Sequence, residues 1–238
     1  MFSITIAAMQ SSPLSVTGAI SLTRNTESQV YALFAFAMAL TVFGVLVGIR
    51  FAPAFLSTGA HVVFLILELL LIMTARFWMD RSPLNYLFFA AFPTLSGITV
   101  TPYILMLLTG YANGGTILLN ALSATVCMSL AAAIVARSVS WDLGIMARAL
   151  VIGLIGLLVL GIFQLFVPAL RTTGMELALS GAGIVVFSGF LAYDLQRIAA
   201  LGRMGANPFL LAISLYLDIF NLFLSILRFM TALSGSRR

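Results

Sequence analysis

Three carboxylates stand inside apolar runs of this chain: Glu68, Asp194 and Asp218. An ionisable group in hydrocarbon costs at least ~2.5–3.5 kcal/mol near the midplane, so an acid kept there normally has a use. Asp194 and Asp218 are equidistant from residue 206, within the turn Gly205-Ala206-Asn207-Pro208. A hairpin folded there sets both carboxylates at one depth, roughly 15–18 Å along the helices from the turn. Glu68, thirteen residues from Arg81, reaches a comparable depth. Two carboxylates held close in low dielectric do not both ionise easily, and they titrate as a unit. Such a pair can share a proton, respond to pH, or bind a hard cation through its oxygens. A nearby guanidinium would compete with that cation and form a latch. Arg76 and Arg81 are the candidates, with positive-inside anchoring as their plainer role. The plainer account of Asp194 is an i,i+3 ion pair with Arg197. For all three acids it is shared structural ion pairing.

The element that must position this chemistry is the stretch 208–233, PFLLAISLYLDIFNLFLSILRFMTAL. It is long and apolar enough to span a bilayer. Yet Ser214, Asp218, Asn221, Ser225 and Arg228 recur along it at helical spacing and form one polar stripe. That stripe cannot face lipid. The last helix is therefore expected inside a bundle, with Asp218 on its functional face.

Composition agrees. Of 238 residues, 62% are hydrophobic and 8% charged, and mean hydropathy is +1.15. A soluble domain is nearer half apolar and a quarter charged. The expected class is an all-α, polytopic membrane protein that meets the lipid bilayer on most of its surface. The net charge of +5 comes from arginines scattered singly at helix ends, with no lysine and no clustered patch for nucleic acid. Cys127 is the sole cysteine, so no intramolecular disulfide is possible, and its apolar surroundings suit a packing role.

Apolar runs predict seven transmembrane helices, near 29–50, 60–79, 83–109, 115–136, 143–167, 174–201 and 208–233. Residues 1–28 are expected to be a cytoplasmic tail without a cleaved signal peptide, since a basic n-region is missing. Residues 29–233 form the membrane domain and 234–238 a short tail. Arg76, Arg81, Arg137, Arg148, Arg197 and Arg203 follow even-numbered helices, and Arg24 lies in the tail, which places the amino terminus inside. Arg237 and Arg238 disagree with that bias. In the run 83–109, Pro93 and Pro102 each remove a backbone hydrogen bond, and Thr94, Ser96, Thr99 and Thr101 can return bonds to freed carbonyls. In 174–201, Gly174, Gly181 and Ser188 make a small-residue strip suited to close helix contact.

The segments VFSGFLAYDLQRI (186–198) and AISLYLDIFNLFLSILRFM (212–230) resemble the terminal signatures of the Bax inhibitor-1, or transmembrane BAX inhibitor motif, family. SGITVTP (96–102), GIFQLF (161–166) and ILELLLIMTARFWM (66–79) resemble its internal motifs, so the likeness runs from Tyr31 to Leu233. It implies a seven-helix protein whose last helix is surrounded by the other six, and a pH-sensitive calcium leak governed by a di-aspartate. Asp194 and Asp218 match that pair, Glu68 the family's glutamate, and calcium is the implied permeant or bound ion, with no other cofactor. The family's latch arginine aligns with Met79 or Asp80, one step short of Arg81. Bacterial inner membrane is the expected location.

Tyr193-Asp194 with a second membrane aspartate resembles an intramembrane aspartyl protease, but Leu215, Tyr216 and Leu217 stand where Gly-x-Gly is needed. A retinal receptor fails for want of a lysine. A non-enzymatic interaction protein, regulating a membrane protease or stress survival, is compatible with the sequence.

Overall fold

The computed structural model describes residues 16–52, 60–139, 144–202 and 204–235. Among these there is no strand. The helices are α1 (Val16–Arg50), α2 (Ala60–Met73), α3 (Ala75–Trp78), α4 (Leu84–Gly110), α5 (Gly114–Ser138), α6 (Gly144–Phe166), α7 (Thr173–Gly202) and α8 (Pro208–Ser234), with a 3-10 turn at Pro168–Leu170. The chain is an all-α polytopic membrane protein. Among the described residues, six helices are long and apolar enough to cross a membrane, and a shorter apolar helix lies over Val62–Met73. Arg203, Arg237 and Arg238, used above as orientation signals, lie outside the described residues.

Two boundaries differ from expectation. Helix α1 begins at Val16, well before residue 29. No proline interrupts the chain between Pro13 and Pro53, and the 35-residue helix is ~52 Å long, so it outreaches a ~30 Å hydrocarbon core. The second run does not continue to residue 79: α2 stops at Met73. Thr74 leaves helical geometry (φ −92°, ψ 2°). Its hydroxyl donates to the Leu70 carbonyl at 2.6 Å and the Leu71 carbonyl at 3.3 Å, and the Trp78 indole donates to the same Leu71 carbonyl at 3.1 Å. The Thr74 amide still donates to the Leu70 carbonyl at 3.0 Å, and the side-chain donors compete with the ladder at this point.

Helix α8 is the centre. In its most apolar eighteen-residue window 61% of residues are buried, against 50% in α4, 28% in α7, 22% in α1 and α5, and 6% in α6. Its Leu211, Leu215, Tyr216, Leu222 and Leu227 are fully enclosed. It packs on α7, α1, α5 and α4. The expectation of six surrounding helices is corrected: α2 packs on α4 and α6 on α7, so these two form an outer layer.

The closest crossing is between α1 and α4. A Cβ at Gly44 would collide with the Thr94 carbonyl, and one at Gly97 with the Thr41 carbonyl. The two glycines let the backbones touch. The strip expected in α7 does not play this part: Gly174 faces open space and Gly181 makes ordinary contact with Phe229. The intimate α7–α8 contact is Gly183 against Ser225, where an added Cβ would come within 2.6 Å of Oγ. Prolines 93 and 102 sit inside a continuous α4, where Thr94 and Thr101 donate to Ala90 and Gly97 carbonyls at 2.9 and 2.8 Å.

Because the obstacle at Gly97 is backbone, Gly97→Ala should destabilise the folded protein by about 1–3 kcal/mol. Gly156→Ala, at an open position, should be neutral or stabilising. Thermal unfolding in detergent compares the two; equal melting temperatures would contradict the close α1–α4 crossing.

Candidate functional site

The α7–α8 hairpin turns where the count of residues placed it. Gly205 takes φ 73°, the Ala206 amide donates to the Leu201 carbonyl at 3.2 Å, and Asn207 caps α8 by accepting from the Phe209 amide at 2.8 Å. Pro208 occupies the first turn, where its missing N–H costs nothing. Asp194 and Asp218 consequently meet across the α7–α8 seam. Both are at least nine-tenths buried, at 4% and 8% exposure.

Their surroundings are unequal. Asp194 accepts from the Ser214 hydroxyl through Oδ2, and the Arg197 Nη1 lies 3.5 Å from its Oδ1. The Oδ2 of Asp218 is buried with no hydrogen-bond partner among the described residues. One carboxylate is thus held from two sides, while its neighbour has a buried oxygen without a partner among the described residues. Burying such an atom is expensive unless it carries a proton or meets a cation.

The polar stripe of α8 faces α7 over Ser214, Asp218 and Ser225. Asn221 Nδ2 turns back to the Leu217 carbonyl at 2.8 Å, and the Ser225 hydroxyl to the Asn221 carbonyl at 2.8 Å. Arg228 departs from the expected buried stripe: it is exposed, near the end of the helix, beside Tyr103.

Glu68 does not join the pair. It accepts from the Ser96 hydroxyl through Oε1 and from the Thr99 hydroxyl through Oε2 at 3.0 Å, both on α4. Next to it is Tyr216, fully buried, with its hydroxyl 2.8 Å from Thr41 Oγ1 of α1. Tyr216 and Asp218 are two residues apart, hence ~200° apart around α8. Counting residues predicted the depth of Glu68 but not its side of the central helix. No group of three or more His, Cys, Asp or Glu comes together among the described residues. A calcium ion held at Asp194 and Asp218 would therefore take its remaining oxygens from Ser214, backbone or water.

The expected arginines lie elsewhere. Arg76 and Arg81 are exposed, Arg76 rests over the Phe77 ring at 5.6 Å, and neither makes an ion pair among the described residues. The position aligned with the latch is occupied by buried Met79 and by Asp80. Asn207 Nδ2 donates to the Asp80 carboxylate at 2.6 Å and to the Met79 carbonyl at 3.1 Å. That clamp ties the tip of the α7–α8 hairpin to the corner after α3. Only the Asn-Pro cap signal at 207–208 hinted at it in the sequence.

The profile of the family described as "Inhibitor of apoptosis-promoting Bax1" matches residues 23–235. An uncharacterized protein of Campylobacter jejuni is 30% identical over 221 residues, covering 90% of this chain and 93% of its own. "Bax inhibitor 1" of Schizosaccharomyces pombe is 28% identical over 181 residues, 74% of this chain and 64% of that protein. "Protein LIFEGUARD 4" of Arabidopsis thaliana is 26% identical over 210 residues, covering 84% and 81%.

The hydroxyl pair behind α8 is directly testable. Tyr216→Phe and Thr41→Val should each cost about 0.5–1.5 kcal/mol, and a double-mutant cycle should return a coupling of similar size. Additive losses in thermal or denaturant unfolding would mean the two hydroxyls do not bond.

Proposed function

The chain belongs to the Bax inhibitor-1 family, and on that footing we propose that it is a pH-sensitive leak for calcium or a general cation, controlled by Asp194 and Asp218. The observation that carries this reading is the facing, buried carboxyl pair with Asp218 Oδ2 left without a partner among the described residues. A divalent ion entering the seam finds two carboxylates and the Ser214 hydroxyl, the hard-oxygen chemistry calcium takes. The pair's charge also follows pH. At higher pH it gains negative charge and attracts either a cation or a guanidinium. Acidification neutralises it and removes both attractions. Location in a bacterial inner membrane with the amino terminus inside belongs to the same proposal.

Such a pair predicts coupling. In liposomes carrying the purified protein, Asp194→Asn and Asp218→Asn should each abolish most of the pH dependence of calcium flux. The double variant should lose little more, because the groups titrate as one unit. Single variants that keep the wild-type pH profile would refute the sensor and favour a role in binding membrane proteins.

A further inference from the structure

We propose that Arg197, on the same helix as Asp194, is the latch of this chain, holding the aspartate pair closed in cis from one turn away. The inference rests on the leak reading above and assigns the guanidinium that competes with the cation. Three observations meet here. Helix α3 and the corner after it bring no arginine to the pair, because Met79 and Asp80 are bound to Asn207. The cation that does stand there is Arg197, 3.5 Å from Asp194 Oδ1, and it acts on Asp218 electrostatically as well. Its side chain is 31% exposed whereas that of Asp194 is 6% exposed, so the guanidinium sits at the boundary between the buried seam and its surroundings.

That placement suits a competitor. At 3.5 Å the contact is longer than the 2.7–2.9 Å of a charge-assisted hydrogen bond, so it is held by charge more than by directed bonding. The stem can swing the head toward the hairpin end without unpacking α7. Ser214 retains Asp194 Oδ2, so release of Arg197 frees Asp194 Oδ1 for an ion shared with Asp218. Among the described residues, the charged and titratable groups bearing on the pair are Arg197 on α7 and the two aspartates themselves. Glu27 of α1 lies against Gly202, nearer the hairpin tip, and Glu68 and Tyr216 lie behind α8. Arg197 is thus a positioning residue, acting through Asp194.

The test uses the full chain, with calcium flux measured in liposomes and calcium affinity measured by calorimetry in detergent. Arg197→Gln should raise the leak at neutral pH and tighten calcium binding, each by about ten-fold, the scale of a ~1.4 kcal/mol coupling. Arg197→Lys should restore both towards wild type. Arg197→Met, which preserves the packing of the stem, serves if the Gln variant does not fold. If Asp194→Asn and Asp218→Asn weaken calcium binding while Arg197→Gln changes neither quantity, the latch is wrong and the di-aspartate reading stands. Release by Arg81→Gln or Arg76→Gln instead of Arg197→Gln also overturns it. If no variant alters either quantity, the latch and the leak reading fall together.

Discussion

A carboxylate in a bilayer must be bonded, neutralised or shared, and the architecture follows from where this chain keeps two of them. Asp194 and Asp218 lie in the α7–α8 seam, away from lipid, so the helix carrying Asp218 has to be enclosed. Four helices enclose α8, and its buried face of Leu211, Leu215, Tyr216, Leu222 and Leu227 supplies the apolar contact that makes enclosure favourable. The outer helices α2 and α6 are left to meet the lipid.

The same helix separates two polar clusters. On one side Asp194, Asp218, Ser214 and Arg197 form a seam in which one buried oxygen has no partner among the described residues. On the other, Glu68, Ser96, Thr99, Tyr216 and Thr41 link four helices, with both oxygens of Glu68 occupied by hydroxyl donors. A satisfied cluster rigidifies, whereas an incompletely satisfied one has capacity left for a proton or an ion. On the proposed reading, the α7–α8 seam, rather than the neighbourhood of Glu68, therefore takes the proton or the ion.

Much of this was legible from residues alone. Run lengths marked the helices, the spacing from Ser214 to Ser225 marked α8 as enclosed, and symmetry about residue 206 set the two aspartates level. These inferences rest on rise per residue, which sequence carries directly. What escaped depends on azimuth and on local competition for hydrogen bonds. The side of α8 that Glu68 would face is set by how α2 packs on α4. The break at Thr74 needs a hydroxyl and an indole to converge on the Leu70 and Leu71 carbonyls. The reciprocal glycines Gly44 and Gly97 lie on helices distant in sequence, and the Asn207 clamp bridges segments more than a hundred residues apart.

The central claim is that Asp194 and Asp218 behave as one titrating unit. It is tested most directly by carboxyl-carbon NMR of lipid-reconstituted protein labelled at aspartate, where only Asp80, Asp142, Asp194 and Asp218 report. Removing either acid of the pair as its asparagine variant should move the titration midpoint of the other by more than about one pH unit. Midpoints that stay in place after each substitution would show two independent acids and contradict the account.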